Sequence, residues 1–148
     1  MICVGESTTL TASGGGTYLW STGATTASIT VNPTITTTYT VTVTASGGCV
    51  STARATVTVN TNPTASISGG TSVCLGSSVT MTASGGVSYL WNTGATTAAI
   101  TVAPTVNTTY TVTVTNITGC TATATRTITV NSLPTPTVTG TNTICSGQ

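Results

Sequence analysis

The stretch that decides the fold is eight residues long and occurs twice. Residues 37–44 read Thr-Thr-Tyr-Thr-Val-Thr-Val-Thr, and residues 108–115 have the same sequence. Apolar residues alternate with Thr, and successive side chains of a β-strand point to opposite faces. Thr, Val and Tyr also favour strands over helices. The stretch therefore predicts a strand with an apolar face on a core and a Thr face toward water.

Both copies belong to a longer repeat with a period of 71 residues. When residues 3–73 are aligned with residues 74–144, 42 of the 71 positions are identical. A unit of this size can bury a small core of its own. We therefore predict a first repeat in residues 1–61 that lacks its first strand, a second repeat in 62–132, and the first strand and start of a third repeat in 133–148.

Short strands separated by turn signals fill each repeat. In the first repeat the predicted strands are residues 7–12, 17–20, 28–31, 37–44 and 52–59, and the intervals are rich in Gly, Ser, Asn and Pro. Apolar residues do not recur at helical spacing, so no helix beyond a turn is expected. Short, closely spaced strands with one apolar face indicate an all-β fold, an antiparallel β-sandwich in each repeat.

The composition lacks most residues that carry chemistry. Thr occurs 44 times, whereas Glu6, Arg54 and Arg126 are the only charged side chains and His, Asp and Lys are missing. This excludes a Ser-His-Asp triad, a carboxylate pair, a carboxylate cage for calcium and a His-containing zinc site. Two cations make no basic patch for nucleic acid, and no apolar run is long enough to span a membrane. We predict no enzymatic activity, no cofactor, no metal and no nucleic-acid partner.

The repeat also resembles a known family. The motifs that carry the resemblance are Cys-x-Gly-x-Ser at 3–7, Thr-Leu-Thr-Ala-Ser-Gly-Gly at 9–15, Tyr-Leu-Trp-Ser-Thr-Gly-Ala-Thr-Thr at 18–26, Ser-Ile-Thr-Val-Asn-Pro-Thr at 28–34, Thr-Thr-Tyr-Thr-Val-Thr-Val-Thr at 37–44 and Gly-Cys at 48–49. They look like the immunoglobulin-like and PKD-like tandem repeats of large Bacteroidetes surface adhesins and filament proteins. The resemblance implies tandem immunoglobulin-like domains, export to the cell surface or an extracellular filament, and a spacer role in adhesion.

Four aromatic residues are candidate core positions. Trp20 and Trp91 occupy the place of the core Trp of a sandwich, with a sugar-stacking surface as the alternative. Tyr39 and Tyr110 each begin a strand after a turn, as in a tyrosine corner, whose hydroxyl bonds the backbone of the preceding turn.

The five cysteines predict disulfides formed in an oxidising compartment. One pairing is Cys3–Cys49 with Cys74–Cys120, which leaves Cys145 for a third unit or another subunit. The other is Cys49–Cys74 with Cys120–Cys145, which joins neighbouring units. We favour the first because each domain then has its own crosslink. In the standard sandwich topology these two positions lie at opposite poles, so this pairing requires either a departure from that topology or an early Cys on the first strand.

The two ends of the sequence suggest how units join. Residues 63–69 predict the first strand of the second unit, and residues 134–140 repeat that strand after it. The candidate donor residues are Pro134, Thr137, Val138, Thr139 and Gly140. Two hypotheses follow: the segment completes the first unit of the next chain by strand donation, or the sequence is a window of a longer repeat polypeptide.

Two functions fit these expectations. The first is a structural segment of an extracellular bacterial fibre, stalk or adhesin, whose partners are neighbouring repeats or identical subunits end to end. The alternative is a binding module that presents Thr-rich β faces to a polysaccharide or to ice.

Overall fold

The computed structural model describes residues 1–140, and every regular element within that range is a strand. The strands are β1 (Ile2–Cys3), β2 (Thr8–Thr11), β3 (Thr17–Trp20), β4 (Ser28–Val31), β5 (Thr37–Thr44), β6 (Val50–Val57), β7 (Val59–Asn60), β8 (Ser66–Gly69), β9 (Ser72–Cys74), β10 (Val79–Ser84), β11 (Ser88–Trp91), β12 (Ala99–Val102), β13 (Thr108–Thr115) and β14 (Thr121–Asn131). The predicted fold class, all-β with antiparallel β-sandwiches, is confirmed.

The first unit contains β1–β7. Its larger sheet has the order β3-β5-β6, and a second sheet pairs β2 with β4; all of these pairs are antiparallel. The short strand β1 runs parallel to β7, with Ile2 opposite Val59. This parallel pair was not predicted, because two residues are too short a run for alternation to be read.

The second unit contains β8–β14, also seven strands: it has the extra edge strand β8, whereas its continuous strand β14 corresponds to both β6 and β7 of the first unit. One sheet has the order β12-β10-β8 and the other β11-β13-β14-β9. The chain leaves the first sheet after β8 and enters the second as β9, which runs parallel to β14. The first strand of this sandwich is thus divided between the two sheets.

Each unit has its own apolar cluster. The buried members in the first unit are Ile2, Trp20, Ile29, Val31, Tyr39, Val41 and Val57. Those in the second unit are Ile67, Val73, Met81, Ala83, Trp91, Ile100, Tyr110, Val112, Val114 and Ile128. The inward residues of β5 and β13 are the Tyr and Val of the alternating stretch, as their period of two requires.

The outward Thr residues bond one another across the strands. Their side-chain oxygens lie 2.8–3.3 Å apart in four pairs, Thr9–Thr30, Thr38–Thr56, Thr80–Thr101 and Thr109–Thr127. Cross-strand Thr pairs of this kind stabilise a sheet. The abundance of Thr therefore has a structural explanation on the outer faces.

Candidate functional site

The predicted aromatic residues lie in the cores rather than on a binding surface. Trp20 is 4% exposed and Trp91 is 2% exposed. Each indole Nε1 donates to the carbonyl oxygen six residues later, at 2.9 and 3.0 Å. Tyr39 and Tyr110 are also buried. The hydrogen bond predicted for a tyrosine corner is not made by Tyr39 or Tyr110 within residues 1–140. The hydroxyl that donates to a turn carbonyl there is that of Tyr89, to Gly86 at 3.0 Å.

The disulfide joins the two units. Cys3 is bonded to Cys120, with their Cα atoms 5.6 Å apart and 117 positions between them in the sequence. Neither predicted pairing is the one observed: the first paired Cys3 with Cys49 and Cys120 with Cys74, and the second left Cys3 unpaired and joined Cys120 to Cys145. Cys49 and Cys74 are exposed and have no disulfide partner within residues 1–140. Cys145, predicted to be unpaired or inter-subunit, lies outside the described residues.

The direction of the strands explains why Cys3 does not pair with Cys49. Cys3 lies opposite Asn60, where the first unit ends, whereas Cys49 lies in the turn before β6. The strand from Val50 to Val57 separates the two ends by about 26 Å at roughly 3.3 Å per residue. A disulfide needs Cα atoms within about 7 Å. The two cysteines therefore mark opposite ends of one unit, as in the standard topology.

The turn that carries Cys120 meets the end of the first unit. Asn116 donates from its side-chain amide to the carbonyl oxygen of Thr61 at 2.8 Å, and its Oδ1 accepts the Cys120 amide at 3.0 Å. Asn62 donates to the Val4 carbonyl oxygen at 3.2 Å. We call this region the joint. No role for Asn116 was predicted from the sequence, where the one sign is that the first repeat has Ala45 at the same position.

The second unit has a filled sheet edge. Its strand β8 pairs with β10, with Ile67 opposite Ala83, and the Ile67 side chain is buried in the core. Arg126 donates to the carbonyl oxygens of Ile67 and Gly69 and so attaches β8 to β14. Sequence analysis assigned Arg126 no partner. The sequence does contain one indication of this contact. The repeat that is predicted to contain a first strand has Arg126, whereas the repeat that lacks it has Ala55 at the same position.

The first unit has an open edge at the same place. Within residues 1–140, β4 is the sole strand paired with β2, whose other side borders a groove of about 250 Å³. We call it the edge groove; its lining includes Leu10, Ala12, Trp20, Val41, Val43 and Ala55. A second hollow, of about 300 Å³, continues it past Ser13 toward Cys49.

Core side chains next to the open edge of the first unit are more exposed than their counterparts in the second unit. Met81, Ala83 and Val114 of the second unit are 0%, 2% and 0% exposed. Their counterparts in the first unit, Leu10, Ala12 and Val43, are only half-buried. Since the strands themselves are equivalent, the difference lies in the strand that covers them.

The candidate donor segment is exposed. Residues 134–140 form no strand, and Val138 is 99% exposed. Val138 is the repeat counterpart of Ile67, the residue of β8 that enters the core of the second unit. No residue of 134–140 lines the edge groove of its own chain.

The described residues offer little else for binding. No group of three or more His, Cys, Asp or Glu side chains in residues 1–140 could hold a metal. No helix long and apolar enough to cross a membrane is present in that range. The edge groove and the joint are therefore the candidate sites.

Comparisons with known proteins add little to this assignment. No family model and no curated protein matches the sequence. One similar solved structure is the SGBP-B protein of the Bacteroides ovatus mixed-linkage glucan utilization locus, in complex with a mixed-linkage heptasaccharide. It aligns with 88% of this chain at 18% identity with a TM-score of 0.25, and the chain spans 42% of that structure. A likeness at this level identifies neither a ligand nor a function.

Proposed function

We propose that this protein is a structural segment of an extracellular fibre, stalk or adhesin, and that its units assemble head to tail by strand donation. The observation that carries the proposal is the edge groove: the second unit fills that position with β8, and residues 134–140 repeat the sequence position of β8. A second copy of the chain supplies the strand. The role is mechanical, and we propose no enzymatic activity.

The repeat gives the register of the donated strand. In the second unit Ala83 lies opposite Ile67 and Met81 opposite Gly69. The same register places Ala12 of one copy opposite Val138 of another, and Leu10 opposite Gly140. The donated strand then covers the half-buried residues of the edge groove.

Both the side chain and the backbone contribute to donation. Burying a Val side chain contributes about 1.5–3 kcal/mol. A strand added to an open edge also pairs backbone groups that are otherwise left to water, which is the usual source of affinity in strand addition. Gly14 supports the fit: its counterpart Gly85 has the carbonyl oxygen of Thr64 directly where a Cβ would lie. At Gly14 a Cβ would meet Val43 Cγ1 at 3.8 Å, and no backbone carbonyl of residues 1–140 takes the place of that of Thr64.

An extracellular location agrees with the crosslink between the units. Disulfides persist in oxidising compartments and are rare in the cytosol. The resemblance to repeats of Bacteroidetes surface proteins supports the same location.

The test compares two substitutions of exposed Val residues in the full chain. Val138→Asp places a charge where the donated strand enters the groove, whereas Val106→Asp alters a Val that is also exposed but lies outside the donor segment. Sedimentation velocity and negative-stain microscopy should show head-to-tail assemblies for the native chain and Val106→Asp, and their loss in Val138→Asp. Assembly of Val138→Asp at the native concentration dependence would contradict strand donation, as would unchanged assembly after deletion of residues 133–148.

The alternative function, binding of a polysaccharide or ice through the Thr faces, has a separate test. The outward Thr hydroxyls already bond each other across the strands, which leaves fewer of them free for a ligand. Glycan-array binding and ice-recrystallisation assays on the native chain decide between the two. Saturable binding or inhibition that Thr38→Val and Thr109→Val abolish would favour the alternative.

A further inference from the structure

We infer that Cys49 and Cys74 form a disulfide between two copies of this chain, Cys74 of one copy with Cys49 of the next. This inference rests on the proposed head-to-tail assembly and adds a covalent bond at each junction. The fibre would then be a continuous series of disulfides, alternately within and between chains.

The evidence is the repeat equivalence of the four cysteines. Cys74 lies 71 positions after Cys3, and Cys120 lies 71 positions after Cys49. The bond Cys3–Cys120 therefore joins the end of one unit to the turn of the unit that follows it. Between two copies, the corresponding bond joins Cys74 to Cys49 of the following copy. Both thiols are exposed.

The side chains around these cysteines give an independent argument. At the joint within the chain, Val4, Asn62 and Thr121 line the same hollow as Cys3. The repeat counterparts at the open ends are Leu75, Leu133 and Val50, which are 43%, 58% and 62% exposed. Two polar positions are thus replaced by large apolar ones, and they lie on the two surfaces that would meet. Exposed apolar side chains on matching surfaces favour contact between copies.

One rigid-body operation satisfies both contacts. Within one chain, the second unit is placed on the end of the first. If the first unit of another copy is placed in the same way on the end of the second unit, Cys74 meets Cys49 of that copy. The same operation brings residues 134–140 to β2 of the second copy. The contact of residues 134–140 with β2 and the bond between Cys74 and Cys49 are thus compatible, because the same arrangement of two copies produces both.

The chemistry is thiol–disulfide exchange with a small-molecule disulfide such as oxidised glutathione. The thiolate of Cys49 attacks that disulfide, forms a mixed disulfide and releases one small thiol. The thiolate of Cys74 then attacks the mixed disulfide at the Cys49 sulfur and releases the second small thiol. Two protein thiols are oxidised, one small disulfide is reduced to two thiols, and both protons leave to solvent or the released thiolates.

The test uses full-length chains that carry Cys145→Ser. The remaining cysteines are then Cys3 and Cys120, which are bonded to each other, and Cys49 and Cys74. From this chain two single-thiol variants are made, one with Cys49→Ser and one with Cys74→Ser. Each is incubated alone, and the two are incubated as an equal mixture, in a glutathione redox buffer. Alkylation, non-reducing denaturing electrophoresis and peptide mapping then identify the links.

We expect the parent Cys145→Ser chain to give a ladder of dimers, trimers and longer species. Each single-thiol variant should remain a single chain, and their mixture should stop at a dimer linked through Cys49 and Cys74. The mixture should give at least about tenfold more dimer than either variant alone, since head-to-tail contact raises the effective thiol concentration. Equal dimerisation of a variant alone, or no dimer in the mixture, would overturn the inference. So would peptide mapping of the native chain that finds Cys49 linked to Cys145.

A fourth chain separates this inference from the proposed function. The double variant Cys49→Ser/Cys74→Ser cannot form the bond, and its assembly is measured by sedimentation. If it assembles while the parent chain forms no Cys49–Cys74 link, only the disulfide is wrong. If it does not assemble and no link forms in the parent, both the disulfide and the head-to-tail arrangement are wrong.

Discussion

The first and second units are identical at 39 of the 59 positions that align residues 3–61 with 74–132, yet they differ at one sheet edge. The second unit has β8 on the outer edge of β10, and the first has an open edge along β2. Residues that are fully buried in the second unit are half-buried in the first. The comparison teaches that one edge strand decides whether the same core is closed, and that the open unit can be closed by a segment that repeats that strand.

The disulfide between the units should have the largest effect on stability. Replacing both partners, Cys3→Ser/Cys120→Ser, removes a crosslink that spans 117 positions. The chain-entropy model assigns a loop of this length roughly 5 kcal/mol. We expect denaturant unfolding, followed by circular dichroism, to divide into two transitions with the first unit unfolding earlier. A single transition at the native midpoint would show that the crosslink does not couple the units.

Equivalent core positions should respond unequally. Met81→Ala removes a fully buried side chain and should lower the free energy of unfolding of the second unit by about 2–5 kcal/mol. Its counterpart Leu10→Ala, in the open unit, should cost roughly half as much or less, because that side chain is only half-buried. Denaturant unfolding of the two variants measures the difference. Equal losses would mean that the open edge does not loosen the first core.

Arg126 should matter more than Arg54. Arg126→Ala removes two charge-assisted hydrogen bonds to β8 and should lower the stability of the second unit by about 2 kcal/mol. Arg54→Ala is the comparison, since Arg54 is exposed beside the edge groove, where no strand of residues 1–140 lies for it to bond, and it should change the stability of the single chain by less than about 0.5 kcal/mol. Hydrogen exchange of residues 66–69 should accelerate in the first variant. Unchanged exchange there would contradict the role given to Arg126.

Much of the fold could be predicted because its pattern is local. The strands at 17–20, 28–31 and 37–44 agree with the predicted residues. In the last two, alternation of Ser or Thr with apolar residues fixes which side chains face the core. The predicted first strand of the second unit, 63–69, contains β8. The candidate edge groove could be anticipated from the repeat alone, because one repeat carries that segment before its other strands.

The disulfide could not be predicted, because it depends on how one unit meets the next. The 71-residue spacing shows that Cys3 and Cys74 occupy equivalent positions in the repeat. It does not show which end of a neighbouring unit each cysteine approaches. In the structure that approach includes the hydrogen bond from Asn116 to the carbonyl oxygen of Thr61, and the first repeat has Ala45 in place of Asn116. The parallel pairing of β1 with β7 was missed for a similar reason, since two residues carry no periodic signal.

The most direct measurement of the central claim is a register-specific crosslink between two copies. Chains carrying Cys49→Ser, Cys74→Ser and Cys145→Ser receive either Ala12→Cys or Val138→Cys, and the two chains are mixed under mild oxidation. By the register of Ala83 and Ile67, these positions lie opposite each other. The account predicts a dimer whose linked peptides contain positions 12 and 138. A yield no greater than that of a Val106→Cys control mixed with the Ala12→Cys chain would contradict it.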